Sequence, residues 1–156
     1  MPDRQRPIDS RIVLKAKYRA DGTFDKDKAR LVARGFLAKM GVDYYSTFSP
    51  MASLTAVRLL CSLALHRKDP LRHMDVPQAF IQSQIDATSY LKLPLGIYVE
   101  RDGRRHTVVR LVKALYGLKQ SPQLWNKMLT EFLVKQCGLV RGKSETSMFY
   151  KHQDGK

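Results

Sequence analysis

An Asp-Gly pair between two runs of β-prone residues constrains the fold of this chain more than any other feature. The first run covers residues 11–19, and after the pair Asp21-Gly22 a second run covers residues 28–36. Asp-Gly in this position is a strong signal for a β-hairpin, because both residues tolerate the positive φ values that tight hairpin turns require. We therefore expect a hairpin near the start of the chain.

Both arms of this predicted hairpin carry cations. Those on the first arm are spaced by two, which predicts that they share one face of the strand. The basic residues of the two arms are Lys15, Lys17, Arg19, Lys28, Arg30 and Arg34. The whole chain has 28 Lys and Arg against 14 Asp and Glu, a net charge of +14. This charge favours nucleic acid as a partner, with an anionic membrane or a merely solvated basic face as the alternatives.

From residue 53 onwards helical and extended patterns follow one another in irregular order. Ser53 is a good N-cap, and a second helix is predicted to begin with Ser121 as N-cap and Pro122 in its first position. The first of these helices has an apolar stripe formed by Leu54, Val57, Leu60, Cys61 and Ala64. Short strands are predicted at residues 71–76, 89–93, 107–112 and 147–151. Because there is no regular βαβ alternation, the expected fold class is α+β.

Nothing in the sequence suggests export or insertion into a membrane. Residues 1–10 are polar and charged, unlike a signal sequence, and the longest apolar run is too short to span a bilayer. Cys61 and Cys137 lie in apolar helical patterns, which favours reduced core thiols. We expect an intracellular protein that is not secreted, with residues 1–10 as an extension before a single domain at 11–156.

Three segments are more specific than composition. The first is KARLVARGF at 28–36, followed by GVDYYSTFSP at 41–50; the second is HMDVPQAF at 73–80; the third is KALYGLKQSP at 113–122, followed by Trp125. In their order and spacing these segments resemble the reverse transcriptase domain of copia-type retrotransposon polyproteins. The resemblance runs over residues 12–150.

The resemblance implies a right-hand polymerase, with the hairpin as fingers and the rest as a partial palm made of an antiparallel sheet and packed helices. Asp75 matches the first catalytic aspartate of the family, and the carbonyl of Val76 matches a second metal ligand. The implied cofactor is Mg²⁺, as two ions in the intact domain, with Mn²⁺ as a possible substitute. Without the resemblance, a single Asp after a short strand is more typical of a cap or a turn.

A nucleotide site is also implied by the resemblance. Phe80 matches the aromatic residue beneath the sugar of an incoming deoxynucleotide, although its apolar neighbours are equally typical of a core phenylalanine. The backbone amides of Gln78 and Ala79 match positions that hold phosphates, whereas Pro77 departs from the usual residue and offers no amide donor. The remaining matched positions are Lys17 and Arg30, as fingers cations on the triphosphate, and Gly117, Lys119 and Gln120, in a turn against nucleotide and template.

The implied partners are an RNA template with a DNA primer or an RNA–DNA hybrid, deoxynucleoside triphosphates, and the remainder of the polymerase and ribonuclease H polyprotein. A membrane is not among the expected partners. The implied location is a cytoplasmic virus-like particle or the nucleus.

The second carboxylate motif of the family, Tyr-x-Asp-Asp, is expected after residues 147–151, yet it does not occur before Lys156. We therefore expect a truncated fragment that is inactive alone. The alternatives are a non-catalytic nucleic-acid-binding module derived from such an element and, more remotely, a structural basic protein associated with RNA.

Overall fold

The computed structural model describes residues 6–151. A 3₁₀ turn at Gly35–Leu37 follows the first two strands. The α-helices are α1 (Leu54–Arg67), α2 (Ala79–Gln82) and α3 (Ser121–Lys135). The strands are β1 (Ile8–Tyr18), β2 (Phe24–Ala33), β3 (Tyr90–Lys92), β4 (Val99–Arg101), β5 (Arg104–His106), β6 (Val108–Arg110), β7 (Val140–Arg141) and β8 (Phe149–Tyr150).

The predicted hairpin is present and is formed by β1 and β2. The strands pair antiparallel from Ser10 opposite Ala33 to Tyr18 opposite Phe24. Gly22 in the turn has φ +82°, the left-handed region that glycine adopts without steric cost. The hairpin is longer than predicted, because β1 begins three residues earlier, at Ile8, and β2 begins at Phe24.

The hairpin is joined to a small sheet only at its base. The four-stranded sheet has the order β2-β1-β3-β6, and β1 pairs in parallel with β3 at Ile8 and Asp9 alone. β3 and β6 pair antiparallel. Beyond Asp9 the hairpin strands hydrogen-bond to each other and extend away from the sheet. This mixture of an antiparallel-dominated sheet and three helices confirms the α+β class.

The core is small and lies where the hairpin meets this sheet. Its buried members are Ile8, Ala33, Ala38, Leu91 and Leu118. Ile8 is buried although the sequence prediction placed it in an N-terminal extension. Leu118 belongs to the third motif segment, so that segment packs directly against the base of the hairpin.

Helix α3 confirms the helix predicted after residue 120, with one correction at its start. Its first residue is Ser121 and its N-cap is Gln120, so the prediction that Ser121 is the N-cap is wrong by one position. The reason is that the Ser121 hydroxyl donates to the Leu115 carbonyl at 2.6 Å, on the preceding turn. Pro122 lies in the first turn, and Gly138 follows the helix with φ +65°.

Helix α1 confirms its predicted cap and contradicts its predicted packing. The Ser53 hydroxyl accepts a hydrogen bond from the Ala56 amide at 3.1 Å. However, Leu54, Val57 and Leu60 of the apolar stripe are exposed, and the only buried residues of the helix are Ala56 and Ala64. The prediction that this helix packs on a sheet is therefore wrong. Both cysteines are exposed as well, so the prediction of core thiols is also wrong.

The strand predicted at residues 71–76 is not formed, and that prediction is wrong. A strand needs hydrogen bonds to a neighbouring strand, and residues 71–76 pair with none of the strands in the described part of the chain, although β2 and β6 are the edges of the four-stranded sheet. Leu71, Met74 and Val76 are accordingly exposed.

The other predicted short strands are confirmed in part. β3 and β6 fall within residues 89–93 and 107–112, and β8 falls within 147–151. The structure adds a separate hairpin, β4–β5, around Asp102 and Gly103. No helix in residues 6–151 has the length and apolar character needed to cross a membrane.

Candidate active-site cleft

Three parts of the chain meet around one cleft of about 640 Å³. Strand β2 forms one side, residues 75–81 form a second, and Leu115 and Tyr116 of the third motif segment form a third. The lining residues are Lys28, Ala29, Arg30, Leu31, Asp75, Val76, Pro77, Gln78, Ile81, Leu115 and Tyr116. Four residues predicted for the site (Arg30, Asp75, Val76 and Gln78) are therefore brought together.

One face of the hairpin beside this cleft is cationic. Directly paired residues of antiparallel strands point to the same side of the sheet. The register sets Lys15 opposite Lys28 and Lys17 opposite Lys26, with Arg30 opposite Val13 on the same side. Like charges that face each other in this way destabilise a sheet, so this face is one that gains from an anionic partner.

The charges on this face act most strongly on Lys28, which lines the cleft. The neighbouring Arg30 guanidinium lowers the pKa of Lys28, and partial burial, Lys17 and Lys26 lower it further. Asp75 acts in the opposite direction and raises this pKa. Asp75 is thus close enough to interact electrostatically with Lys28, which places one carboxylate beside the cations of this face.

Asp75 and Val76 are the predicted metal ligands. Both lie on the cleft wall and are exposed. A carboxylate and a backbone carbonyl are the hard oxygen donors that Mg²⁺ prefers, so their chemistry fits that ion. Within residues 6–151, however, no group of three or more His, Cys, Asp or Glu side chains could hold a metal ion. Asp75 would therefore supply one ligand of a larger set.

The predicted nucleotide aromatic, Phe80, lies in α2 just behind the cleft. Its ring packs against Tyr116 with 4.6 Å between centroids and an angle of 53° between the ring planes. The Arg30 guanidinium lies 6.0 Å from the same Tyr116 ring. Tyr116 therefore links the basic face to Phe80. Sequence reasoning missed Tyr116, although its place inside the third motif segment could have indicated a role.

Gln78 and Ala79 form the turn that leads into α2. Gln78 has φ +52°, a left-handed conformation that costs a non-glycine residue about 1–2 kcal/mol. Its carbonyl accepts the Ile81 amide at 3.1 Å, which holds the turn in this shape. An unfavourable backbone conformation on a cleft wall is typical of functional sites.

Gly117 is the point where the third motif segment crosses the end of the hairpin. A Cβ atom there would lie 2.0 Å from the Ala33 carbonyl oxygen, and one on Gly35 would lie 2.0 Å from the Gly117 carbonyl oxygen. The Ala33 amide donates to the Tyr116 carbonyl at 2.8 Å in the same crossing. The glycines therefore let two backbones touch, and this contact sets the position of Tyr116 in the cleft.

The structure keeps three further predicted residues away from the cleft. Gln120 is fully buried and donates from Nε2 to the Asp43 carbonyl at 2.8 Å. Lys119 lies 5.2 Å from the centre of the Tyr44 ring and donates to the Ala38 carbonyl at 3.4 Å. Both residues therefore anchor the loop that begins the GVDYYSTFSP motif. Lys17 lies on the cationic face, nearer the hairpin tip.

Comparison with known families agrees with the three motif segments. The model of the family described as "Reverse transcriptase (RNA-dependent DNA polymerase)" matches residues 1–156. The chain belongs to the reverse transcriptase family. No solved structure gives a significant match to this reverse transcriptase chain.

The relatives of this reverse transcriptase chain are retrotransposon polyproteins. It is 39% identical over 142 residues to the retrovirus-related Pol polyprotein from transposon RE1 of Arabidopsis thaliana, covering 91% of the chain and 10% of the relative. Identity to the Pol polyprotein from transposon TNT 1-94 of Nicotiana tabacum is 34% over 151 residues, covering 97% and 11%. Identity to the transposon Ty1-H Gag-Pol polyprotein of Saccharomyces cerevisiae is 34% over 149 residues, covering 91% and 8%.

These relatives confirm that the chain is of the copia type. The reverse transcriptase chain spans about a tenth of the length of the relatives it matches. The three motif segments thus identified the family correctly.

Proposed function

We propose that this chain contributes the fingers and part of the palm of an RNA-directed DNA polymerase, with residues 1–10 as an extension and 11–156 as the domain. The reaction is templated transfer of deoxynucleotides by a two-metal mechanism. The observation that carries this proposal is the cleft, in which Arg30, Asp75, Val76 and Gln78 meet although three of them lie far from Arg30 in sequence.

Each residue of the cleft has a role that follows from its chemistry. Asp75 and Val76 would hold Mg²⁺, or Mn²⁺ in its place, which supplies Lewis-acid activation of the phosphoryl group when bound. Arg30 and Lys28 would neutralise the triphosphate, because both cations lie on the wall that faces Asp75. Phe80, supported by the Tyr116 ring, would lie beneath the deoxyribose and exclude a 2′ hydroxyl.

The partners follow from the same proposal. They are an RNA template paired with a DNA primer, deoxynucleoside triphosphates, and the rest of the Pol polyprotein. The place of action is inside the cell, in a virus-like particle or in the nucleus. The basic face of the hairpin would hold the sugar-phosphate backbone, and contacts of lysine and arginine with phosphates carry no direct sequence information.

Primer extension tests the catalytic part of the proposal. In a longer form of the protein that includes a Tyr-x-Asp-Asp segment, Asp75→Asn should abolish extension on an RNA template and leave template binding nearly unchanged, since it removes one metal ligand and little volume. Asp86→Asn, which alters an exposed carboxylate outside the cleft, is the matched control and should retain activity. The 156-residue chain alone should bind template without extending primers. An active Asp75→Asn variant would refute the catalytic assignment.

Salt dependence tests the binding part. Reversing Lys15, Lys17 and Arg30 to Glu removes three cations from one face. The slope of log binding constant against log salt concentration, measured with an RNA–DNA duplex, should become shallower by about 2–3. The matched control reverses Arg58, Arg67 and Lys68, which are exposed in or just after α1 and change the net charge by the same amount. Equal slopes for both variants would show that only net charge matters and would count against a specific binding face.

A further inference from the structure

Helix α1 carries its large apolar side chains on the surface of the protein. All five of its leucines and Val57 are exposed, and its buried residues are the small Ala56 and Ala64. The exposed side chains are Leu54, Val57, Leu59, Leu60, Leu63 and Leu65. Helix α3, by contrast, buries Leu124 and packs against α2. Apolar surface concentrated on one helix in this way is typical of a site that another polypeptide covers.

Helix α1 is also too short to be stable in water by itself. It has 14 residues, and isolated helices shorter than about 12–15 residues are marginal even when they consist of good helix formers. Thr55 and Val57 favour a helix less than alanine does. Most of the stability of a helix in a protein comes from packing of its apolar face. The leucines of α1 are therefore the part of the helix that gains most from a partner.

The segment directly after α1 is uncovered as well. The backbone of residues 71–76 makes no hydrogen bond within residues 6–151, and Leu71, Met74 and Val76 are exposed. Only residues 68–70 separate this segment from the helix. Unpaired backbone groups beside exposed apolar side chains are what an added β-strand pairs with. We call α1 and residues 71–76 together the α1 surface.

The β7–β8 hairpin lies at the start of the α1 surface. Glu145, in the turn between these two strands, accepts a hydrogen bond from the Ser53 amide at 3.4 Å. Ser53 is the N-cap of α1, and β8 ends at Tyr150. Polypeptide that follows β8 therefore starts within reach of α1.

Three considerations favour such polypeptide over a second copy of the chain or a membrane. The chain matches about a tenth of each relative, so most of such a polyprotein lies outside the matched region, and a covalently attached partner acts at a high effective concentration. Two copies of the chain would repel each other, since each has a net charge of +14. Helices that lie on membranes have a polar face rich in lysine and arginine, whereas that of α1 has Thr55, Arg58, Ser62 and His66.

We propose that the α1 surface is the docking site for the stretch of Pol polyprotein that follows residue 156. That stretch covers the leucines of α1 with apolar side chains and pairs its backbone with residues 71–76. The burial that residues 6–151 do not give to α1 thus comes from the rest of the protein. The inference rests on the proposed function in one respect, namely that the chain works as part of a longer Pol polyprotein.

The two cysteines allow a test without any substitution. Cys61 belongs to the apolar stripe of α1, Cys137 lies just after α3, and both are exposed. In the 156-residue chain both thiols should therefore react with iodoacetamide. In a longer form that continues through the Tyr-x-Asp-Asp segment, alkylation of Cys61 should slow about tenfold or more, because a covered thiol is inert. Cys137 is the matched control and should keep its rate, as measured by mass spectrometry of the peptides.

Hydrogen exchange tests the other part of the surface. The amides of residues 71–76 should exchange fast in the 156-residue chain, because nothing in the described residues bonds to them. In the longer form every second amide should be protected, since alternate amides of a strand point to the same neighbour. A form extended only before residue 1 is the matched control and should protect neither these amides nor Cys61. Uniformly fast exchange in the longer form would overturn the pairing with residues 71–76.

Substitution of Leu60 tests whether the covered leucines stabilise the longer form. Glutamine is nearly as good a helix former as leucine, so Leu60→Gln should leave the melting temperature of the 156-residue chain unchanged. In the longer form it should lower the melting temperature by about 3–10 °C and restore the alkylation of Cys61. Leu95→Gln, at a fully exposed leucine outside the α1 surface, is the matched control and should change neither form.

Several outcomes would overturn the proposed partner. Equal reactivity of Cys61 in both forms, or equal slowing of Cys61 and Cys137, would refute a docking site on α1. Protection of Cys61 that rises with the concentration of the 156-residue chain would assign the surface to a second copy. Protection by vesicles of phosphatidylcholine and phosphatidylserine would assign it to a membrane.

Primer extension separates this inference from the proposed function. If Asp75→Asn abolishes extension while Cys61 of the longer form stays reactive, the docking site is wrong and the proposed function stands. If Asp75→Asn remains active while Cys61 is protected, the catalytic assignment fails and the docking site is supported.

Discussion

Replacement of Gly117 by alanine tests the backbone crossing beneath the cleft. Gly117 has φ +91°, a conformation that costs an alanine about 1–2 kcal/mol. In addition, the new Cβ would lie 2.0 Å from the Ala33 carbonyl oxygen and 2.8 Å from Val32 Cγ1, so β2 would have to shift. Overpacking of this kind costs about 1–3 kcal/mol. The sum, about 2–5 kcal/mol, is a large part of the stability of an ordinary domain.

Two other glycines separate the two contributions. Gly103 has φ +69° and nothing within 4 Å of the place that a Cβ would occupy, so Gly103→Ala should cost about 1–2 kcal/mol from the backbone alone. Gly35 does not have a positive φ, but its Cβ would lie 2.0 Å from the Gly117 carbonyl oxygen, so Gly35→Ala should cost about 1–3 kcal/mol from crowding alone. The cost of Gly117→Ala should approach the sum of the other two.

Urea unfolding followed by circular dichroism measures these differences, and the melting temperature should fall by about 4–20 °C for Gly117→Ala. The reasoning is refuted if Gly117→Ala is no more destabilising than Gly103→Ala. That result would mean that β2 and the third motif segment do not touch at this point.

Two further predictions concern Glu145 and Phe80. Hydrogen bonds from Ser147 and then from Ser53 lower the pKa of Glu145 from 4.5 to about 2, so this carboxylate stabilises the fold above pH 4.5 and the contribution is lost as the pH falls towards about 2. Glu145→Gln should remove that pH dependence from the urea midpoint, and an unchanged profile would contradict the tether between Glu145 and Ser53. In a polymerising form of the protein, Phe80→Ala should retain deoxynucleotide use and admit ribonucleotides, whereas continued exclusion of ribonucleotides in primer extension would argue for a purely structural Phe80.

Local chemistry explains the parts of the fold that the sequence predicted well. The hairpin follows from Asp21 and Gly22, whose turn closes through contacts within a few residues, such as the Thr23 amide donating to the Asp21 carboxylate at 2.9 Å. The start of α1 follows in the same way from the Ser53 hydroxyl. In both cases the partner atoms are near in sequence, so no knowledge of tertiary structure is needed.

Apart from the N-cap of α3, the predictions that failed were those that depended on distant partners. An apolar stripe on α1 indicates which face would be buried, but not whether a sheet is present to cover it, and Leu54 and Leu60 are exposed. The extended pattern at residues 71–76 likewise cannot show whether a neighbouring strand has free hydrogen-bonding groups.

The candidate site shows the same limit. The motifs identified Asp75 and Arg30, which meet in the cleft. They could not separate cleft residues from buried ones within the third segment, where Gln120 bonds to Asp43, 77 residues away. The pairing of Lys15 with Lys28 was also beyond prediction, because the register depends on the length of the turn and on an irregularity between Lys17 and Tyr18.

If the hairpin binds nucleic acid as proposed, its facing lysines make the free protein and the complex respond to salt in opposite ways. In the free chain, added salt screens the repulsion between Lys15 and Lys28 and between Lys17 and Lys26, since exposed charges interact over about 10 Å at 0.1 M ionic strength. The hairpin should therefore become more rigid as the ionic strength rises. With a nucleic acid bound, the same salt competes with the phosphates for the lysines and weakens binding. The hairpin would be most mobile in dilute buffer without nucleic acid. It would be most ordered when the phosphates of a bound nucleic acid neutralise these lysines.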